Sequence, residues 1–262
     1  MNRAMVRVLW LGLIIWAVIP LVLLLVLSLG HQWFAPDLLP AAWTVESWYG
    51  LLTHSNRLRE ALITSIALAS ITALAAMLLA LVAARQISRL NSPLRQCGAA
   101  LAFLPVVTPP VALATALQFA FLQSGAGGTV LGVWLAHLIP SVGYATVYLL
   151  GILTSYDWNL EDEARTLGAD SRAVIRLVTV PILRRPLAEA FALAWLVSWA
   201  QVPLTLLVGA GMVRTLPVEV LGFVQAGQDR YAATGALLLV VPALAMLILL
   251  QRTSRQSEAA PI

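Results

Sequence analysis

Residues 8–29 read VLWLGLIIWAVIPLVLLLVLSL, without one charged side chain. A helix that is apolar on every face is buried in a large core or lies in lipid, and a run of this length crosses about 30 Å of hydrocarbon. Composition chooses lipid. Hydrophobic residues make up 60% of the 262 positions and charged residues 11%, against about one-quarter charged in a soluble domain. Arg3 and Arg7 precede the run, and Ser28 and Gly30 are small enough to flank a cleavage site. The apolar part of a signal peptide is normally about 7–15 residues, so a retained first span is expected.

Further apolar runs are read at about Glu60 to Ala84, Gly98 to Leu122, Val130 to Leu153, Ala188 to Val208 and Ala232 to Leu250. With the first they make six transmembrane helices and an all-α, polytopic membrane protein. Trp33, Trp43, Trp48 and Tyr49 place the 31–58 loop along a headgroup layer. Gly125 to Gly128 read as a tight turn. No repeat or separate soluble domain is visible, so residues 1–262 are expected to form a single transmembrane domain.

Six spans leave both termini on one side. The termini and the loops after the second and fourth spans carry Arg3, Arg7, Arg85, Arg89, Arg95, Arg165, Arg172, Arg176, Arg184, Arg185, Arg252 and Arg255. The opposite side carries Arg57, Arg59, Arg214 and Arg230. Such an asymmetry follows the positive-inside rule and puts both termini and residues 154–188 in the cytoplasm. It also accounts for the net charge of +4 without a nucleic-acid partner.

All 16 basic residues are arginine. A GxxxxGK[ST] nucleotide loop needs its lysine to reach the phosphates, so the chain is not itself such an ATPase. Lysine Schiff-base chemistry is excluded as well. Cys97 is the single cysteine, which rules out an internal disulfide and a cysteine-cluster metal site. No cofactor is expected.

The longest polar stretch, 154–188, contains DWNLEDEARTLG (157–168) followed by ADSRAVIRLVTVP (169–181). Asn159 reads as a helix cap, with Asp162 closing a capping box. Leu160, Ala164 and Leu167 share one face, while Glu161 and Arg165 pair on the other. Gly168 supplies a left-handed stop. Asp170 or Ser171 caps a second short helix, which Val180-Pro181 ends. The product is a helix–glycine–helix element with a small apolar face, suited to another protein's groove.

This spacing resembles the EAA loop of permease subunits of type I ABC importers, E-A-A-x3-G-x9-I-x-L-P. Asp162, Glu163 and Ala164 stand at the E-A-A positions, followed in register by Gly168, Val178, Val180 and Pro181. Ala164, Gly168 and Pro181 match identically, Val178 and Val180 conservatively. Asp162 keeps a carboxylate, and Glu163 departs from the family's alanine. Weaker similarities follow the family's order at Glu60 to Arg85, Leu104-Pro105 with Pro109-Pro110, His137 with Pro140, and Arg214 to Pro217.

The resemblance implies a non-catalytic, multi-pass permease of a bacterial inner membrane, importing a small solute of the polyamine, iron, thiamine or phosphonate group. It implies that Asp162, Glu163, Ala164, Gly168, Val178, Val180 and Pro181 couple the chain to two cytoplasmic ATP-binding subunits. A second permease subunit, like or unlike, would complete the pathway in the lipid bilayer. A periplasmic substrate-binding protein would dock on the outer loops, around 31–58 and 209–231.

Thr108, Gln118, His137, Tyr144, Ser198, Gln201 and Thr205 are polar at bilayer depth, where such groups face protein or water. They serve either as pathway or as interhelical hydrogen bonds. Pro105, Pro109, Pro110, Pro140, Pro203 and Pro242 fall inside spans, and each removes a backbone donor. No acidic residue is read at mid-membrane. Two rival classes stay open: a secondary transporter or channel without an ATPase partner, and an intramembrane hydrolase using Ser141 and His137.

Overall fold

The computed structural model describes residues 3–33, 37, 39–50 and 56–258, the side chains of 3, 4, 56 and 252–258 excepted. The expectations for the side chains of Arg3, Arg252 and Arg255, and for part of the 31–58 loop, lie outside the described residues. The helices are α1 (Arg3–Leu29), α2 (Glu46–Tyr49), α3 (Asn56–Ser88), α4 (Ser92–Val107), α5 (Pro110–Gln123) and α6 (Val130–Leu153). They continue with α7 (Asn159–Thr166), α8 (Ser171–Val174), α9 (Val180–Trp199), α10 (Pro203–Gly209), α11 (Leu216–Gln225) and α12 (Asp229–Glu258). A π-helical turn, Ile175–Thr179, joins α8 to α9. A two-residue strand β1 (Gly30–His31) pairs antiparallel with β2 (Ala42–Trp43).

Four segments are long and apolar enough to cross a membrane as single helices: Met5–Leu29, Arg57–Ser88, Val130–Leu153 and Asp229–Gln251. Two more are broken pairs, α4 with α5 bent by 94° and α9 with α10 bent by 58°, which brings the total to six if each pair counts as one span. The all-α, polytopic reading holds, with one correction. The third and fifth runs are not straight rods.

Proline is the reason. A residue before proline is driven out of the helical region, and Thr108 (ψ 128°) and Pro109 (ψ 129°) both precede one and are both extended. Two consecutive extended residues turn the chain sharply between α4 and α5. At the second break, Val202 precedes Pro203, which opens α10 where its missing N–H is harmless. Pro105, Pro140 and Pro242 instead stay inside continuous helices.

The described structure divides into two compact units, Met1–Thr64 with Arg214–Ala243, and Ser65–Val213 with Leu244–Ile262. In the second, α6 packs on α4, α9 and α10, and α10 packs on α5. Leu68, Ala114, Val133, Ala136, Leu204, Val208 and Val213 form a buried core there. Gly125 and Gly128 both sit at φ +73° and make the expected turn, fastened by Gly128 N–H donating to the Val208 carbonyl at 2.8 Å.

In the first unit, the Ser47 hydroxyl donates to the Ser28 carbonyl (2.7 Å), and Arg230 reaches His31 (3.0 Å) and Glu46 (3.4 Å). Arg57 and Arg214 both approach Glu219 (3.5 and 3.9 Å). Only 6% of the first span is buried within the chain, against 50% of the α6 span, so its apolar side chains are covered by lipid or by other subunits.

Helix α6 meets α4 at Gly143, where a Cβ would lie 2.9 Å from the Ala102 carbonyl oxygen and 3.2 Å from Val106 Cγ2. Gly143→Val is expected to lower the unfolding temperature of the detergent-solubilised chain, at a cost of about 1–3 kcal/mol. Gly151→Ala, at a helical position with nothing within 4 Å, should leave it unchanged or slightly raised.

Candidate functional site

Helix α7 begins at Asn159, one residue earlier than a cap there would require. Asn159 N–H donates to Asp157 Oδ1 at 3.0 Å, so Asp157 satisfies the helix start, and Asp162 pairs with Arg165 (2.6 Å) instead of closing a capping box. At the other end, Gly168 N–H donates to the Arg165 carbonyl (2.9 Å) and Ala169 N–H to that of Ala164 (3.0 Å). With Gly168 at φ +93°, this is a Schellman turn. Asp170 Oδ1 then accepts from Ala173 N–H at 2.7 Å and caps α8. Both features match the sequence reading.

Pro181 does not end the second helix. It sits in the first turn of α9, and the π turn ahead of it returns Val180 N–H to the Ile175 carbonyl. A proline in a helix lacks one donor and crowds the carbonyl four residues back. Widening that turn to π geometry relieves the crowding, so the chain runs on without a break.

Of the motif residues, Asp162, Glu163, Gly168, Val180 and Pro181 are exposed, and Ala164 and Val178 are half-buried. Leu167 and Leu177 are 88% and 71% exposed, and Leu160 and Ile175 are exposed beside them. The loop therefore offers a charged and leucine-rich surface, with Arg165, Arg172 and Arg176 exposed beside Asp162, Glu163 and Asp170, that no described residue covers.

Glu161 departs most from the sequence reading. Its side chain is fully buried, and its pairing with Arg165, at 3.6 Å, is the longest of its links. Arg85 Nη1 donates to Oε1 at 2.7 Å and Arg85 Nη2 to Oε2, while Arg89 Nη2 donates to Oε2 at 3.0 Å. The Thr179 hydroxyl, from the π turn, donates to Oε1 at 2.8 Å. Both guanidinium groups lie over the Trp158 ring, at 5.3 Å for Arg85 and 4.2 Å for Arg89, a cation–π arrangement. Burial, and after it the Glu161 charge, pushes the nearby Tyr156 phenol above its ordinary value.

Burying a carboxylate costs several kcal/mol unless cations and hydrogen bonds replace its water. Here they do, and the result joins the end of α3, helix α7 and the start of α9. Sequence reasoning missed Glu161, Thr179 and the role of Arg85 and Arg89. The signal available was the i, i+4 spacing of Arg85 and Arg89 on one helix face.

The polar residues at bilayer depth fall into two sets. His137 is buried on α6, with Nδ1 2.9 Å from the Ser198 hydroxyl and Nε2 2.8 Å from that of Thr205. Thr205 also donates to the Gln201 carbonyl (3.2 Å), so His137, Ser198, Thr205 and Gln201 form one network across the break between α9 and α10. Ser141 turns elsewhere, donating to the Ala194 carbonyl at 3.4 Å. Both ring nitrogens are taken, and the pair a hydrolase would need is not formed.

Thr108, Gln118 and Tyr144 lie outside this network. Thr108 bonds back to the Leu104 carbonyl (2.7 Å) at the other break, Gln118 is half-buried, and Tyr144 is partly exposed. Glu189, at the start of the expected fifth span, sits midway along α9, where Arg185 (3.0 Å) and Tyr148 share its carboxylate. Among the described residues, no group of three or more His, Cys, Asp or Glu side chains could hold a metal ion.

Residues 76–256 match the family described as the binding-protein-dependent transport system inner membrane component. The chain belongs to this family. It is the permease of a type I ABC importer, a multi-pass membrane subunit that does no bond chemistry. That membership sets aside both the hydrolase and the carrier without an ATPase.

Among curated relatives, the permease is 23% identical to the spermidine/putrescine transport system permease protein PotC of Haemophilus influenzae, over 92% of each chain. It is 26% identical to the trehalose transport system permease protein SugB of Mycobacterium tuberculosis, over 90% of this chain and 89% of that one. With the putrescine permease protein PotI of Escherichia coli the figures are 28%, 71% and 69%. A chain of the bacterial alginate ABC transporter, crystallised with its alginate-bound periplasmic protein, shares the fold at a TM-score of 0.67 and 14% identity. The match covers 98% of this permease and 96% of that chain.

In the permease, His137→Leu would leave the buried Ser198 hydroxyl without its partner and Thr205 with the Gln201 carbonyl alone. The expected cost is about 1–3 kcal/mol, read as a lower unfolding temperature in detergent. An unchanged temperature would count against a fastening role for this histidine.

Proposed function

We propose that residues 157–181 are the coupling element of this permease. In this reading α7 and α8, hinged at Gly168, seat in a cleft of a cytoplasmic ATP-binding subunit and carry its nucleotide-driven closure to the membrane helices. The supporting observation is that the E-A-A-x3-G spacing is realised as an uncovered helix, Schellman turn and helix. Asp162 and Glu163 offer carboxylates to the rim of such a cleft, and Leu160, Leu167 and Leu177 offer apolar surface to its floor. Ala164 leaves room for close approach, while Val178, Val180 and Pro181 shape the passage into α9.

The rest of the assembly follows from this role. Two ATP-binding subunits engage two permeases, like or unlike, and the whole of residues 1–262 acts as one transmembrane domain. The arginine asymmetry supports cytoplasmic termini, and a substrate-loaded periplasmic protein docks on the outer loops, around 31–58 and 209–231. Alternating access then bends the pathway at its two proline breaks, with Thr108, Gln118, Tyr144 and Gln201 lining it while His137 and Ser198 fasten its wall. The cargo is a small solute of the polyamine, iron, thiamine or phosphonate group. The names of PotC and PotI support a polyamine, and that of SugB supports a sugar. The ligand held by the cognate binding protein decides between them.

Two experiments test the coupling role. With Cys97→Ser removing the native thiol, Leu167→Cys should resist a membrane-impermeant thiol reagent in intact cells and react in inside-out vesicles. Labelling from outside would sink the topology. Gly168→Val forces a β-branched residue to a positive φ, a strain of about 1–3 kcal/mol, and each 1.4 kcal/mol is tenfold in an equilibrium. Uptake by the assembled transporter should fall about tenfold or more, and stimulation of ATP hydrolysis by the loaded binding protein should be lost. Normal uptake would overturn the reading.

A further inference from the structure

We propose that Glu161 is the positioning residue through which motion of the coupling helix reaches the membrane helices. This deepens the coupling role given to residues 157–181 and rests on it. Every side-chain hydrogen bond described between α7 and α3 ends on the Glu161 carboxylate, from Arg85 (2.7 Å to Oε1) and Arg89 (3.0 Å to Oε2). The same carboxylate accepts from Thr179 at 2.8 Å. That residue closes the π turn from which α9 starts, so one buried group holds the ends of two membrane helices.

The physical argument is about what gives way first. The motif residues Asp162 and Glu163 are exposed, Asp162 paired with Arg165 of its own helix. Glu161 is fully buried and the Arg85 side chain is 17% exposed. A pull on α7 cannot separate them without leaving the buried carboxylate only its longest link, to Arg165 at 3.6 Å on its own helix, which is far more costly than moving helices that slide in lipid. Helix α7 therefore drags the end of α3 and the start of α9 with it. Trp158 reinforces the joint by lying under both guanidinium groups. Cutting the joint lets α7 dock and follow the ATPase while the membrane helices stay behind.

The test uses the assembled transporter in liposomes, with uptake and ATP hydrolysis measured together. Glu161→Gln keeps the size of the side chain and removes its charge. Uptake per ATP hydrolysed should fall at least about tenfold, with complex yield and basal hydrolysis within about twofold of the unaltered transporter. The double variant Glu161→Arg with Arg85→Glu keeps one acid among three arginines and should restore the ratio to within about threefold. Arg89→Gln, which leaves the Arg85 pair in place, should lower the ratio about threefold, and it carries the test if Glu161→Gln fails to assemble.

A merely structural clasp would lower yield, uptake and hydrolysis in parallel and leave the ratio unchanged. That outcome, or a double variant no better than Glu161→Gln, overturns the proposal. If Gly168→Val uncouples uptake and neither Glu161→Gln nor Arg89→Gln does, the joint fails and the coupling role survives. If Gly168→Val is also silent, the coupling role itself has failed.

Discussion

In a medium without water, each backbone amide and carbonyl has to find its partner inside the chain, and a helix supplies one at nearly every residue. That constraint underlies the whole permease. It makes each apolar run helical, and it makes the places where a run departs from the helix costly enough to need local compensation. At the break between α4 and α5, the Thr108 N–H and its hydroxyl both return to the Leu104 carbonyl, at 3.1 and 2.7 Å. At the break between α9 and α10, Gln201 N–H returns to the Ser198 carbonyl and the Gln201 carbonyl accepts from Thr205. The bends are stable because polar side chains stand where the ladder opens.

Charge obeys the same economy more strictly. Glu161 loses its water entirely, and the chain answers with two guanidinium groups, a hydroxyl and an aromatic platform drawn from three separate segments. Around it the loop has two contrasting sides. The buried side is polar and crowded; the outer side is charged and leucine-rich, and no described residue covers it. A loop anchored on one face and uncovered on the other is the arrangement expected of an element that passes force between two bodies.

Much of this was legible beforehand. The spacing from Asp162 through Gly168 to Pro181 identified the loop, Gly168 took the left-handed conformation its position required, and Asp170 capped α8. These are local properties, decided by φ preferences and by hydrogen bonds within a few residues. Other readings failed where a local rule met a longer-range demand. Asp162 was free to close a capping box, but Asp157 had already satisfied the helix start. Ser141 had the right spacing for His137, but Ser198 and Thr205, on the neighbouring α9–α10 segment, claimed both ring nitrogens. Pro181 looked like an end, and a π turn made it a beginning.

By itself, then, the sequence determined that this chain lives in lipid, how many times an apolar run recurs, and where the polar helix–glycine–helix element stands between two of those runs. Hydrophobicity, proline and glycine act on the residues next to them, so their effects can be read in one dimension. Only the tertiary structure decided that Glu161 is held most closely by Arg85, 76 residues away, with Arg165 on its own helix the longest of its links. A pair four residues apart on a solvent-facing helix is worth a few tenths of a kcal/mol. A carboxylate taken out of water must recruit whatever cations packing brings to it, and which cations those are depends on how the helices meet.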